Sequence, residues 1–209
     1  MPDLIIKPQA TSGNKVIIQD QGGGAVLTTA DSGGANINIG SSSTFPTGHI
    51  LQVLSTTKGD TFSTTSATYT LITGLTVEIT MSNALNKVLV FLSIGRISPD
   101  TSVGASSAVK IVRGTTPIGG GTVAGTQVSV AFATNAGSTN SNYVGPGGLG
   151  AHFLDTPGTG THVYGAYTVG ADGGSSGYTH INRNVSGSTG SAAYETAASS
   201  TITVMEVVV

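Results

Sequence analysis

Gly74-Leu75-Thr76-Val77-Glu78-Ile79-Thr80, followed closely by Asn86-Lys87-Val88-Leu89-Val90-Phe91-Leu92, decides the fold class. In the first run Leu75, Val77 and Ile79 alternate with Thr76, Glu78 and Thr80, the period-two pattern of a strand with one buried face. The run Val88 to Leu92 is apolar without alternation, which predicts a strand buried on both faces, central in a sheet or at a subunit interface. Working outward, short apolar segments recur over residues 49–55, 61–73, 108–113, 127–133, 152–154, 163–169, 178–183 and 200–209, separated by Gly, Ser, Asn and Pro. No segment has sustained helical spacing. The expectation is an all-β fold, a β-sandwich of the jelly-roll or Greek-key kind. In the last segment Ile202 and Val204 face one side while Met205, Val207 and Val209 face the other. A strand apolar on both sides invites aggregation at an open edge, so it is expected to be central, covered or paired across an oligomer interface.

Composition agrees with strands and turns and leaves little for chemistry. Charged residues are 9% of the 209 positions, and cysteine and tryptophan are absent. Acid/base, nucleophilic and metal chemistry draw on the residue types this chain mostly omits, so no enzymatic activity, catalytic residue or cofactor is expected. The hydrophobic fraction of 38% and net charge of −2 lie far from the regime of disordered chains. Eight Lys and Arg, scattered singly, make no basic footprint for nucleic acid or an anionic membrane. No stretch approaches the roughly 20 apolar residues of a membrane-spanning helix, so membrane insertion is not expected. Met1-Pro2-Asp3-Leu4-Ile5-Ile6-Lys7-Pro8 has too short an apolar run for a signal peptide and reads as mature sequence.

Residues 1–46 carry short apolar pulses at 4–6, 15–18, 25–27 and 37–39, each followed by glycine-containing turn residues. Such pulses predict short strands in a meander or stalk with little private core, an attachment segment that buries its apolar side against copies of itself or a partner. Phe45-Pro46-Thr47-Gly48 is the expected hinge, and residues 47–209 the sandwich head.

Candidate sites are few. His152 and His162 bracket Asp155, a conceivable transition-metal set, but the spacing fits no metal motif and hydrogen bonding at strand ends is the plainer role. Gly145-Pro146-Gly147-Gly148-Leu149-Gly150 lacks the Lys-Ser/Thr and the helix of a phosphate loop and reads as a turn. Glycoside hydrolysis needs paired carboxylates, and Asp155, Asp172 and Glu195 each sit among turn residues. Tyr143, Tyr164, Tyr167, Tyr178 and Tyr194 crowd the second half and could stack on a sugar, although packing on the pleat is the ordinary role. Tyr164 and Tyr167, an odd number of positions apart, cannot both face outward on a regular strand. Receptor-contacting residues are unassigned, with loops 134–150 and 170–177 the expected places.

The run Leu51-Gln52-Val53-Leu54-Ser55-Thr56-Thr57-Lys58-Gly59-Asp60-Thr61-Phe62-Ser63-Thr64-Thr65-Ser66 followed by Gly74-Leu75-Thr76-Val77-Glu78-Ile79-Thr80 resembles a domain of surface structural proteins of tailed phages, especially marine phages and cyanophages. The same order continues in Asn86-Lys87-Val88-Leu89-Val90, Ile111-Val112-Arg113-Gly114-Thr115-Thr116-Pro117-Ile118-Gly119 and Phe153-Leu154-Asp155-Thr156-Pro157. It ends in His180-Ile181-Asn182-Arg183 and the most specific block, Ala198-Ser199-Ser200-Thr201-Ile202-Thr203-Val204-Met205-Glu206. The resemblance covers residues 50–208, and the segment 134–150 departs from it. It implies a sandwich head on the virion surface, in tail fibres, tail tips or capsid-decorating proteins, usually homotrimeric. The expected partners are then copies of the chain, other virion proteins through the N-terminal segment, and a host-surface glycan or receptor. Assembly would take place in the bacterial host cytoplasm. The leading expectation is a tail-fibre or tail-tip component, the alternatives a capsid decoration or cement protein and a non-viral carbohydrate-binding module.

Overall fold

The computed structural model describes residues 16–19, 21–23, 25–29, 35–37, 45–99, 106–135, 147–172, 177–183 and 197–209. The chain divides into two compact units, Met1–Phe45 and Pro46–Val209. In the first, β1 (Ile17–Gln19), β2 (Ala25–Thr29) and β3 (Ala35–Ile37) form an antiparallel meander in that order. Gly23, at φ +84°, makes the first turn, and its carbonyl accepts a hydrogen bond from Gln19 Nε2 at 3.0 Å. Ile17 and Ile18 both stay about half exposed, as a three-stranded sheet with little core of its own leaves them. The pulse at 4–6 lies outside the described residues.

The second unit contains β4 (Ile50–Lys58), β5 (Phe62–Thr64), β6 (Thr70–Met81), β7 (Lys87–Pro99), β8 (Ser106–Arg113), β9 (Thr116–Ile118) and β10 (Phe132–Asn135). They are followed by β11 (Gly147–Asp155), β12 (Gly160–Thr168), β13 (Thr179–Ile181) and β14 (Ser200–Val207). One sheet has the order β10-β8-β12-β6, with β9 also on β8; the other has β4-β14-β7-β13-β5, with β11 on the far side of β7. β4 pairs with β14, β6 with β12, β7 with β11 and β8 with β10, all antiparallel. Pairing from the outer strands inward is a long hairpin rolled into two sheets, so the unit is a jelly-roll β-sandwich.

Between the sheets lie Ile72, Leu75, Val77, Ile79 and Met81 from β6, Val88, Val90, Leu92, Ile94 and Ile97 from β7, and Ile202 and Val204 from β14. β8 and β12, in the same sheet as β6, supply Val109, Ile111, Tyr164 and Ala166. The alternation in β6 is therefore a true one-sided strand, and β14 lies between β4 and β7, as its apolarity requires. β7 departs from the expected two-sided burial within one chain: Val88, Val90 and Leu92 point inward, Leu89 is half-buried and Phe91 is 42% exposed. β6 also runs unbroken through Gly74, where a φ of +83° and a register shift opposite Gly165 and Tyr167 mark a bulge. The segment 127–133 is mostly irregular; β10 takes only its last two residues.

Both sheets and the whole buried cluster lie within Pro46–Val209, and the chain entry is held there by Gly48 N–H to Val208 O at 2.8 Å and Val208 N–H to His49 O at 2.9 Å. Removal of residues 1–45 is therefore expected to leave a folded, cooperatively melting unit. Calorimetry of the truncated protein against the full chain checks this; loss of the transition would show that the units depend on one another.

Candidate functional site

The side chains singled out by sequence do not converge. Asp155, at the inner end of β11, accepts hydrogen bonds at Oδ2 from Arg113 Nη1 at 2.6 Å and from Tyr164 Oη at 2.8 Å. His152 is exposed on the outer face of β11, 6.1 Å between ring centroids from Phe91, and His162 lies in the other sheet with Nε2 3.1 Å from the Thr159 carbonyl. Among the described residues no group of three His, Cys, Asp or Glu is placed to hold a metal ion. Tyr164 is fully buried between the sheets, whereas Tyr167 faces outward opposite Lys110, so the odd spacing does put them on opposite sides. Burial, then the hydrogen bond to Asp155 and its charge, push the Tyr164 phenol far above its ordinary value, and it serves as a donor. Tyr178 is exposed and stacks on the ring of His180 at 5.5 Å.

Asp172 adopts φ +51° and accepts hydrogen bonds from the Ser106 N–H and hydroxyl, the work of a turn residue. Gly147 to Gly150 are strand residues at the start of β11 rather than a turn. Tyr143, Tyr194, Glu195, Gly145 and Pro146 lie outside the described residues, as do 136–146 and 173–176 of the two expected receptor loops.

The polar side chains of the sandwich interior fasten strands to one another. Glu206, fully buried on β14, accepts at Oε1 from the Ser82 N–H (2.9 Å), Ser82 Oγ (2.7 Å) and Asn86 Nδ2 (2.7 Å), and at Oε2 from Gln52 Nε2 (2.6 Å). Burial pushes this carboxyl upward, but the bonds from Asn86, Ser82 and Gln52 outweigh it and hold it below its ordinary value. Asn182, in the left-handed region at φ 63°, donates to the carbonyls of Lys58 and Asp60 at 2.9 and 3.0 Å and accepts from Ser200 Oγ at 2.6 Å. These pins join separate segments of the chain: Asn86 to Glu206, Arg113 to Asp155, Asn182 to Ser200.

What is left for recognition is a surface, the outward face of β4-β14-β7-β11. Residues directly opposite on adjacent antiparallel strands share a face. The registers place Val53, Met205, Leu89 and Leu154 in one row across the four strands, Ser55, Thr203, Phe91 and His152 in the next, and Thr57, Thr201, Ser93 and Gly150 in the third. Val53 (53%), Leu154 (46%) and Phe91 (42%) are substantially exposed. Ser55 and Thr203 hydroxyls bond at 2.8 Å and Thr57 and Thr201 at 3.2 Å, which pairs these four hydroxyls with one another. Beside Phe91 and His152 the small residues Ser93 and Gly150 leave an open groove of about 350 Å³. No Lys, Arg, Asp or Glu stands in the three rows; Lys87 enters only at the rim, opposite Val207. The outward face of the other sheet instead carries Glu78, and Lys110 with its ammonium 3.9 Å over the Tyr69 ring.

The run Val88 to Leu92 reads from sequence as buried on both faces, centrally or at a subunit interface, which marks Leu89 and Phe91 but not the face around them, because Val53 and Leu154 take their meaning only from the register that aligns them. No protein-family model matches the chain, and no curated protein matches it significantly.

Proposed function

We propose that the chain is a non-enzymatic surface protein of a phage virion, a homotrimeric tail-fibre or tail-tip component whose N-terminal unit attaches it to the particle and whose jelly-roll unit meets the host. The observation that carries this reading is the division of labour in the sandwich. The chemistry-bearing side chains Asp155, Glu206, Arg113 and Asn182 are committed to holding strands together, while the outward face of β4-β14-β7-β11 carries no Lys, Arg, Asp or Glu in its three central rows and exposes Val53, Phe91 and Leu154 among Ser and Thr. That is the constitution of an assembling scaffold. The phage resemblance supplies the setting, and its blocks lie on strands of both sheets. Attachment would work by avidity: three weak sites on one rigid body raise the local concentration of each, so the assembly holds where a single site would release.

Immunogold labelling of particles from the phage that encodes the chain tests the reading. Label at the tail, together with inhibition of adsorption by added purified protein, is expected. Label on the capsid shell would move the assignment to decoration of the head, and particles without label would overturn the virion reading.

A further inference from the structure

We propose that the outward face of the other sheet, β6-β12-β8, binds an acidic sugar, a pyranose that carries a carboxylate, on Tyr69, Tyr167 and Lys110; the proposal rests on the host-contact reading above and names its ligand class. The registers set Leu71, Tyr167 and Lys110 in one row across the three strands and Thr76, Gly165 and Val112 in the next. Tyr167 leans over Gly165: a Cβ built there would lie 3.3 Å from the Tyr167 ring, 3.0 Å from Leu71 Cδ1 and 3.2 Å from Thr76 Cγ2. The absent side chain at 165 lets an aromatic body rest on the sheet, half-buried, and the half-buried Tyr69 is tied to the same cluster by the Lys110 ammonium over its ring.

Lys110 is a cation without a counter-charge. The ion pairs among the described residues are Lys58 with Asp60 and Arg113 with Asp155, and Lys110 belongs to neither. Glu78, the carboxylate of this face, stands two rows along and two strands across, roughly 16 Å by strand spacing and beyond the screening length of physiological salt. The ammonium rests on a ring instead, a hold weaker than a charge-assisted hydrogen bond. The hydroxyls of Tyr69, Tyr167 and Thr76 make no hydrogen bond among the described residues, whereas Thr80 and Thr161, at the far end of the same face, pair at 2.8 Å.

These groups select the ligand. A neutral sugar would leave the cation unused. Nucleic acid needs a row of cations, and the three strands carry only Lys110 and Arg113, the latter held by Asp155. An acidic peptide brings charge without the broad C–H face of a pyranose. A carboxylated pyranose uses every part: its C–H face meets Tyr167, its carboxylate meets Lys110, and its hydroxyls meet the unpaired phenol and threonine hydroxyls. One exposed ion pair is weak, so binding at this site depends on a ligand presented in many copies.

Biolayer interferometry of the full chain over immobilised polygalacturonate, polysialate, dextran and poly-glutamate is the test. Retention is expected on an acidic polysaccharide and not on dextran or poly-glutamate. Lys110→Met, which keeps the alkyl stem, and Tyr167→Ala are each expected to lower it about tenfold or more with an unchanged circular dichroism spectrum. Lys110→Arg is expected to retain binding, and Glu78→Gln, on the same face, to leave it equal or stronger. Retention on none of the four polymers, equal retention on poly-glutamate or dextran, or a Lys110→Met variant that binds like the parent would overturn the site. A Lys110→Met variant that inhibits phage adsorption as well as the parent does would overturn the site and leave the host-contact reading intact. A parent that binds the acidic polysaccharide through Lys110 yet never inhibits adsorption would uphold the site and overturn that reading.

Discussion

Glu206→Ala is expected to destabilise the jelly-roll unit by about 2–3 kcal/mol, the cost of stranding the buried Asn86 amide and of losing the charge-assisted bonds from the more exposed Ser82 and Gln52. Four hydrogen bonds converge on this carboxylate from three places: the Ser82 N–H and hydroxyl, Asn86 in the turn between β6 and β7, and Gln52 on β4. Alanine removes every acceptor at once and leaves a gap in a fully buried position. Glu206→Gln is milder, since an amide oxygen at the place of Oε1 still receives Ser82 and Asn86, and only the bond to Gln52 turns into an opposition of donors. The pH dependence distinguishes the two effects. A carboxyl held below its ordinary value of 4.5 contributes stability that is complete above that value and is lost as pH falls through the depressed one. For this single group the loss is at most about 1.4 kcal/mol per pH unit. Urea titrations of the parent at neutral pH and at stepwise lower pH are expected to show stability falling below 4.5, with Glu206→Gln flatter over that window. A parent with no acid slope, or a Gln variant with an equal one, would show that the carboxylate is not what clasps these strands.

The sandwich was legible in the sequence because its strongest signals are local. Alternation in β6 and the two-sided apolarity of β14 are properties of consecutive residues, and period-two burial turns them directly into strands. Pairing is not local, and it was pairing that gave Phe91 and Leu89 their direction: a five-residue apolar run has no internal mark that tells a strand buried twice from one buried once and covered by something else. The bulge at Gly74 was hidden for a related reason, since glycine also punctuates turns and only the shift opposite Gly165 and Tyr167 shows a strand running through it. For the candidate side chains, hydrogen bonding, the plainer role in the sequence, is what Asp155 performs, but its partners were not legible there. Asp155 and His152 are close in sequence, yet strand alternation points an odd-spaced pair to opposite faces, so proximity along β11 separated them in space. Arg113 and Asp155 lie far apart in the chain and meet because the rolled hairpin brings the ends of β8 and β11 together across the sandwich.

Gly95→Ala is expected to be the most damaging added methyl among the described glycines, at about 3 kcal/mol or more. Gly95 sits within β7 with no special dihedral requirement, so nothing about backbone freedom explains a glycine there. Its surroundings do. A Cβ built on it would fall on the backbone carbonyl oxygen of Ser199 and lie 2.9 Å from the Ala198 Cβ. This is the place where one side of β7 changes partner: β14 pairs as far as Ser93, β13 begins at Ile97, and the chain entering β14 passes over Gly95 on its way. The Gly95 N–H to Ser200 Oγ bond (3.2 Å) and the Ala198 N–H to Asn182 O bond (3.3 Å) fix that crossing, so the Ser199 carbonyl has no room to retreat without breaking one of them. Gly59→Ala is the control, because a Cβ there meets nothing within 4 Å. It is expected to change stability by less than about 1 kcal/mol. Thermal melts of the two variants beside the parent decide the matter: a Gly95 variant as stable as Gly59→Ala would mean that the 198–199 crossing yields freely, and that β14 is not anchored where it enters the sheet.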